Sequence, residues 1–240
     1  GTGSGNHARR AGGAARACAA AGGMMLHTDA EARAWLERLP EWDAGAADRL
    51  TALVRLLEEE NTRQNLVSAA SLAEVWRRHI ADSAQLLAHV PRETCSPWLD
   101  LGTGAGFPGL VIAALRPECA VLMVESRARR IEWLERVRIA LGLDRAQVIG
   151  ARLELVPSQP VRVISARAFA PLPRLLELSA RFSTADTIWL LPKGRSAPQE
   201  LQELSGWQHA FHVEPSLTDV EAGVIVGTVA ANTARKGRKS

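Results

Sequence analysis

The chain contains no tyrosine, four phenylalanines and three methionines, so its seven tryptophans carry most of the aromatic bulk. Cys18, Cys95 and Cys119 stand far apart, with no C-x-x-C pair and no histidine at ligand spacing. That pattern predicts neither a disulfide framework nor a metal site, and it points to the cytoplasm. No uncharged apolar run reaches the ~18 residues of a membrane span. The longest candidate, 101–115, is broken by four glycines and a proline. The first 23 residues have no acid, and 15 of them are Gly or Ala, interrupted by Arg9, Arg10 and Arg16. Such a stretch buries too little side chain to offset the entropy of ordering it, so residues 1–23 are expected as a disordered leader. Arg16 spoils the only apolar run that would serve as a secretory signal, and Met24 or Met25 is the expected start.

What is present is an ordinary globular balance, 47% hydrophobic and 23% charged over 240 residues, enough for one large domain with additions. The net charge of +3 belongs to the ends. Without the leader and the basic tail at 231–240, which holds Arg235, Lys236, Arg238 and Lys239, residues 24–230 carry 22 basic against 26 acidic groups. The basic pI of 9.1 therefore says little about the folded surface.

Two rhythms divide the remainder. Residues 24–90 read as a helical extension: Asp43 caps a helix with Leu50, Leu53, Val54 and Leu57 on one face, and Ser71 with Glu74 forms a capping box ahead of Leu72, Val75 and Ile80. In 91–230, apolar runs at 98–101, 120–124, 161–165 and 187–191 alternate with helical patterns at 108–115, 127–141 and 171–182. This alternation predicts an α/β, Rossmann-like parallel sheet with helices on both faces, closed by a hairpin from 207–213 and 223–229.

The first strand leaves through Asp100, Gly102, Gly104, Gly106, Phe107, Pro108 and Gly109. The string fits both the dinucleotide pattern G-x-G-x-x-G and the D-x-G-x-G-x-G loop of S-adenosylmethionine enzymes. Glu125, ending the next strand, suits ribose hydroxyls in either case. Charge separates the two. A pyrophosphate needs bare N–H groups and no adjoining carboxylate, whereas Asp100 places an anion under the loop and Pro108 removes an amide donor. S-adenosylmethionine offers an ammonium and a sulfonium, both cations.

These residues resemble the RsmG (GidB) methyltransferases, a family that methylates N7 of a guanosine in small-subunit ribosomal RNA. The resemblance runs over about 65–194: Asn65-Leu66-Val67; Arg78, His79, Asp82 and Ser83 as R-H-x-x-D-S; Asp100 to Gly109; Arg152-Leu153-Glu154; Arg167-Ala168-Phe169; and Lys193-Gly194. It implies a class I methyltransferase fold with S-adenosylmethionine touching Gly102, Phe107, Leu153, Glu154 and Arg167. Arg162 departs from the pattern, standing where the family usually has an acid.

Guanine N7 carries a lone pair and no proton, so its methylation needs no general base. In keeping with that, the segment after the fourth strand, Ser165 to Pro171, offers neither the Asn/Asp-Pro-Pro-aromatic motif of amino methylation nor a cysteine nucleophile. Arg167, Lys193, His79 and Asp82 are the candidates for positioning substrate. His79 and Asp82, at i and i+3, equally suit a bond to each other. Arg127, Arg129 and Arg130, with Lys193, are the candidate RNA contacts; the plain alternative is a solvated face with pairs such as Glu132 to Arg136. The tryptophans read as core. The leading expectation is a monomeric, cytoplasmic rRNA guanine-N7 methyltransferase acting on the small subunit or an assembly intermediate. The alternatives are a nicotinamide-dependent oxidoreductase and a non-catalytic rRNA-binding assembly factor.

Overall fold

The computed structural model describes residues 24–95 and 97–230. The expected leader and basic tail lie outside the described residues.

Thr28 opens the first helix, α1 (Asp29–Leu36), with a reciprocal capping box to Glu31, and Asp43 opens α2 (Ala44–Asn61) by accepting from the Ala46 amide at 2.6 Å. The leucine face of α2 is buried, as its spacing predicts. The capping box expected at Ser71 does not form. Ser68 is the cap of the short α3 (Ala69–Leu72), while Glu74 is drawn away to Arg77. The chain then runs on as one helical rod: π-helical over Trp76–Ala81, α-helical over Asp82–Ala84, and 3-10 over Gln85–His89.

The strands are β1 (Trp98–Leu101), β2 (Val121–Glu125), β3 (Ala146–Gly150), β4 (Val163–Ala166), β5 (Ile188–Lys193), β6 (His212–Pro215) and β7 (Gly223–Gly227). They form one sheet in the order β3-β2-β1-β4-β5-β7-β6, with β1 to β5 parallel and β7 antiparallel to both β5 and β6. The crossovers are α4 (Gly109–Leu115), α5 (Ala128–Ala140) and α6 (Leu172–Ser179), and α7 (Ala197–Gln202) follows β5. β3 has no counterpart in the sequence reading. It is a short edge strand whose Ala-Gln-Val-Ile-Gly is only partly buried, so it lacks the apolar run that marks its neighbours.

Alternate residues of each central strand feed two cores. Trp98, Val121, Met123, Val163 and Leu190 face α4, α5 and the N-terminal helices. Leu99, Leu101, Leu122, Val124, Ile164 and Leu191 face α6 and the 3-10 turn at Leu153–Leu155. Residues 24–90 thus cover one face of the sheet and share its core. All seven tryptophans are buried or half-buried, as expected.

The cysteine expectation needs correction, because Cys95 and Cys119 form a disulfide. Each cysteine sits just ahead of one of two paired strands, and the register Trp98↔Val121 sets their Cα atoms 4.8 Å apart despite 24 residues of separation. Among the described residues, the only close trio of potential metal ligands is these two cysteines with Glu118, and its sulfurs are bonded to each other. No helix among the described residues is long and apolar enough to cross a membrane.

Candidate active site

The β1 exit makes a turn in which Gly102, Gly104 and Gly106 have φ of 63°, 60° and 108°. These are values that side chains rarely adopt. Space excludes side chains too: a Cβ on Gly102 would lie 2.5 Å from the Phe169 ring, and one on Gly106 would lie 2.2 Å from Leu110.

Asp100 holds the turn from beneath. It is fully buried, with Oδ2 accepting from Thr103 Oγ1 (2.7 Å) and from the Gly109 amide (3.0 Å), and Oδ1 accepting from Ser165 Oγ (2.7 Å). Ser165 Oγ in turn accepts from the Trp98 indole N–H at 2.9 Å. Burial pushes the Asp100 carboxyl up to about 6, against the pull of these donors and of Arg167. The sequence predicts an anion under the loop, and there the carboxylate lies, sealed beneath the turn, where it fixes the backbone. The bond to Gly109 also consumes the first amide of α4, which counts further against a pyrophosphate there.

Glu125, buried at the end of β2, accepts from the Gly104 amide (3.0 Å) through Oε2 and from the Ser126 and Arg127 amides through Oε1. Trp133 of α5 pins the far side of the turn by donating from Nε1 to the Ala105 carbonyl (3.0 Å). Leu153 is buried and Glu154 exposed in the 3-10 turn after β3; no hydrogen bond joins either to the glycine turn among the described residues.

Beside the turn lies a cleft of about 860 Å³. Its walls come from the rod at 76–89, the loop after β4, the β5–α7 segment and the β6–β7 turn. Arg167 is its hub. The guanidinium reaches Asp82 Oδ2 (3.4 Å) and His79 Nδ1 (3.3 Å) and lies over the Phe107 ring, 5.3 Å from its centre. His79 stacks on the same ring at 4.8 Å. His79 and Asp82 are thus bridged by Arg167 and not bonded to each other. Asp82 Oδ1 also accepts from Thr218 Oγ1 (2.8 Å) and Gln85 Nε2 (3.0 Å), which fastens the β6–β7 turn to the rod. Burial, with Arg167 and Arg78 nearby, drives His79 down to about 3, so its ring is neutral.

Lys193 lines the cleft, but its side chain is 9% exposed and its ammonium is held by Glu200 (2.8 Å) and the Ala170 carbonyl (3.1 Å). The residue expected to position substrate or contact RNA is thus paired within the cleft wall. Desolvation acts against the Glu200 charge, yet Lys193, Ser196 and the Leu172 amide hold its pKa below the ordinary value.

Of the other cations, Arg127 and Arg129 are exposed at the start of α5, and Arg129 donates to the Arg63 carbonyl (3.1 Å). Arg130 turns inward: its Nη1 lies 3.2 Å from where a Gly104 Cβ would be. The expected Glu132–Arg136 pair does not form, because Arg136 reaches Glu60 of α2 at 2.6 Å. Arg162 is exposed just ahead of β4, at the opposite end of that strand from the turn's carboxylates.

The sequence singles out the Arg167-Ala168-Phe169 string, but not the roles of its last two residues: the Phe169 ring covers Gly102, and Ala168, with φ of 52°, swings the chain so that Arg167 and Phe169 point to different neighbours. Sequence reasoning missed Asp219, paired with Arg78 at 3.1 Å on the cleft rim. Asp219 carries no local signal, since it matters only through a neighbour distant in sequence.

This sheet order, with a glycine turn closing β1, is that of class I S-adenosylmethionine-dependent methyltransferases. The fold is similar to cofactor-bound Rv0187 from MTB, with a TM-score of 0.59 and 15% identity over 87% of this chain and 100% of that one. It is also similar to an MtNAS mutant in complex with S-adenosylmethionine, with a TM-score of 0.54 and 18% identity over 77% and 76% of the two chains. The chain belongs to the GidB family, rRNA small subunit methyltransferase G, which matches residues 46–218. The Erythrobacter litoralis ribosomal RNA small subunit methyltransferase G is 59% identical over 210 residues, covering 87% of this chain and 100% of that protein. The Novosphingobium aromaticivorans protein of the same name is 56% identical over 211 residues, covering 87% and 91%.

Proposed function

We propose that the protein transfers the methyl group of S-adenosylmethionine to N7 of a guanosine in small-subunit ribosomal RNA. The observation that carries this reading is a left-handed glycine turn, braced by buried Asp100 and Glu125, set beside a cleft whose β4 exit holds neither a base nor a nucleophile. Membership of the GidB family supports it.

The residues fit this methyl donor. Gly102 and Gly106 leave bare backbone where a Cβ would collide, Gly104 has a φ that side chains rarely adopt, and Glu125 has lone pairs left for ribose hydroxyls after its amide bonds. Phe107 and Leu153 supply apolar walls, Glu154 a second carboxylate at the same sheet edge, and Arg167 joins the turn to the cleft. Asp100 positions the turn and adds negative potential beneath it. When bound, S-adenosylmethionine supplies a methyl group on a sulfonium that an unprotonated lone pair can accept. Since guanine N7 has no proton to lose, the protein's part is alignment and exclusion of water, and alignment can supply ~7 to 11 kcal/mol.

His79, Asp82 and Arg167 position the acceptor base, and Lys193 holds the opposite wall through Glu200. Arg127 and Arg129 meet RNA phosphates; Arg130 covers the turn. The substrate is the small subunit or an assembly intermediate, bound by a monomer in the cytoplasm. In that compartment, reductants work against the Cys95–Cys119 bond.

The test is incubation of the protein with methyl-labelled S-adenosylmethionine and small-subunit rRNA, naked and assembled. Label enters the RNA, and S-adenosylhomocysteine, not NADH, raises the melting temperature. Stabilisation by NADH alone would favour the oxidoreductase. RNA binding without transfer, insensitive to Asp100→Ala, would favour the assembly factor.

A further inference from the structure

Three buried side-chain nitrogens lack a hydrogen-bond partner among the described residues, and of their residues only His79 lines the cleft. Its Nδ1 faces both terminal nitrogens of Arg167 at 3.3 Å. A guanidinium only donates, so Nδ1 must be the accepting, unprotonated nitrogen. A neutral ring then carries its proton on Nε2, the very atom without a partner. The neighbours agree: Arg167 and Arg78 oppose a second proton, and Asp82 is engaged by Arg167, Thr218 and Gln85. An orphaned buried N–H costs free energy in every folded molecule, so a native protein that keeps one invites a search for its acceptor. The ring cannot drift to find one locally. It is stacked on Phe107, which belongs to the glycine turn, and it is tied to Arg167.

Nε2 itself is covered by protein, yet His79 lines the cleft, and a donor N–H there suits one purine edge and not the other. Guanine presents two acceptors there, N7 and O6, whereas adenine presents N7 beside an amino donor. Resting on the function proposed above, we infer that the Nε2–H of His79 donates to O6 of the target guanine, selecting guanine over adenine while leaving the N7 lone pair to the methyl group. Arg167 has a second role in this arrangement, since its donation to Nδ1 dictates the histidine tautomer.

The experiment compares methyl transfer by the full chain onto small-subunit RNA with guanine, or 2-aminopurine, at the mapped target position. 2-Aminopurine keeps N7 and lacks O6. With the wild type, kcat/KM on 2-aminopurine should fall about 10- to 100-fold below that on guanine. In His79→Phe, which keeps a stacking ring and loses the N–H, the guanine rate should drop towards the 2-aminopurine rate, leaving a gap within about twofold. His79→Gln, whose amide can donate, should recover part of the preference. S-adenosylhomocysteine affinity, measured by calorimetry, reports whether the glycine turn is intact in each variant.

Equal use of the two bases by the wild type overturns the inference without any variant. So does an unaltered preference in His79→Phe and His79→Gln, an equal drop on both RNAs, or an abolished S-adenosylhomocysteine affinity with base choice preserved. Failure of the wild type to methylate any guanosine N7 would instead defeat the function proposed above.

Discussion

The glycine turn and the cleft meet at Phe107, a buried ring of the turn that lies under His79 and Arg167 of the cleft, yet they are held by different means. The turn is shaped by backbone: three left-handed glycines, a buried carboxylate bonded to Thr103, Ser165 and Gly109, and an indole on the Ala105 carbonyl. The cleft is shaped by side-chain pairs spanning distant segments: Arg167 to Asp82, Arg78 to Asp219 and Lys193 to Glu200. The first arrangement is rigid because its groups have no alternative partners in a dry interior. The second is unevenly held: the Arg78–Asp219 pair, about 40% exposed, can exchange with water, salt or an incoming phosphate, whereas Lys193 is 9% exposed and stays paired.

The largest effect should fall on the turn. Asp100→Ala leaves two hydroxyls and an amide without their acceptor, so stability should drop by about 3–5 kcal/mol in urea unfolding, and S-adenosylhomocysteine affinity should fall with it. Asp100→Asn should lose less. An equal loss for both substitutions would mean that charge, and not hydrogen bonding, braces the turn. A control lies at the opposite end of the sheet. Removing the Cys95–Cys119 bond with Cys95→Ser should cost roughly 3 kcal/mol through the freed loop and leave ligand affinity unchanged. A parallel loss of affinity would show that the turn is less self-contained than its bonds suggest.

Acid should act on the two regions with opposite sign. Asp100, raised from 3.8 to about 6, holds a proton in the folded state that the unfolded chain has released, so its contribution to stability falls as pH rises from about 4 to 6. His79, lowered from 6.5 to about 3, stays neutral where the unfolded chain is protonated. Its contribution is complete above 6.5 and is lost as pH falls towards 3. His79→Phe should therefore gain on the wild type by about 1.4 kcal/mol per pH unit below 6.5, while Asp100→Asn gains as pH rises between 4 and 6. Unfolding curves over pH 4–7 measure both, and shifts of the same sign would contradict the assigned protonation states.

The smallest effect concerns the rim. Arg127→Gln with Arg129→Gln should flatten the salt dependence of RNA binding by roughly 0.7 in log–log slope for each arginine–phosphate pair that is removed. An unchanged slope would leave Arg129 as a clamp on the Arg63 carbonyl.

This contrast also explains what could be read in advance. Strands β1, β2, β4 and β5, their crossovers and the buried arm of the closing hairpin, β7, are legible because burial on both faces demands continuous apolar runs, and the glycine turn is legible because its constraints are local. The other arm, β6, lies at His212–Pro215 and not at 207–213, because its half-exposed residues carry no such run. The edge strand β3 and the disulfide were not legible. The one has too little burial to leave a pattern, and the other depends on the register of two parallel strands. In the cleft, His79, Asp82, Arg167 and Lys193 were identified as residues, but their connections were not. That Arg167 bridges His79 to Asp82, or that Glu200 neutralises Lys193, follows only from folding segments together that are far apart in the chain.

Chemical mapping of the transferred methyl group decides which atom of the RNA receives it. Small-subunit RNA methylated by the protein is digested to nucleosides and analysed by mass spectrometry, which distinguishes the fixed positive charge of 7-methylguanosine from neutral isomers. Label should reside in 7-methylguanosine alone. Label on an exocyclic amine, a ring carbon or a ribose hydroxyl would contradict transfer to N7, since each of those acceptors requires a proton to be removed, and the carboxylates that line the cleft, Asp82, Glu200 and Asp219, are each held in an ion pair.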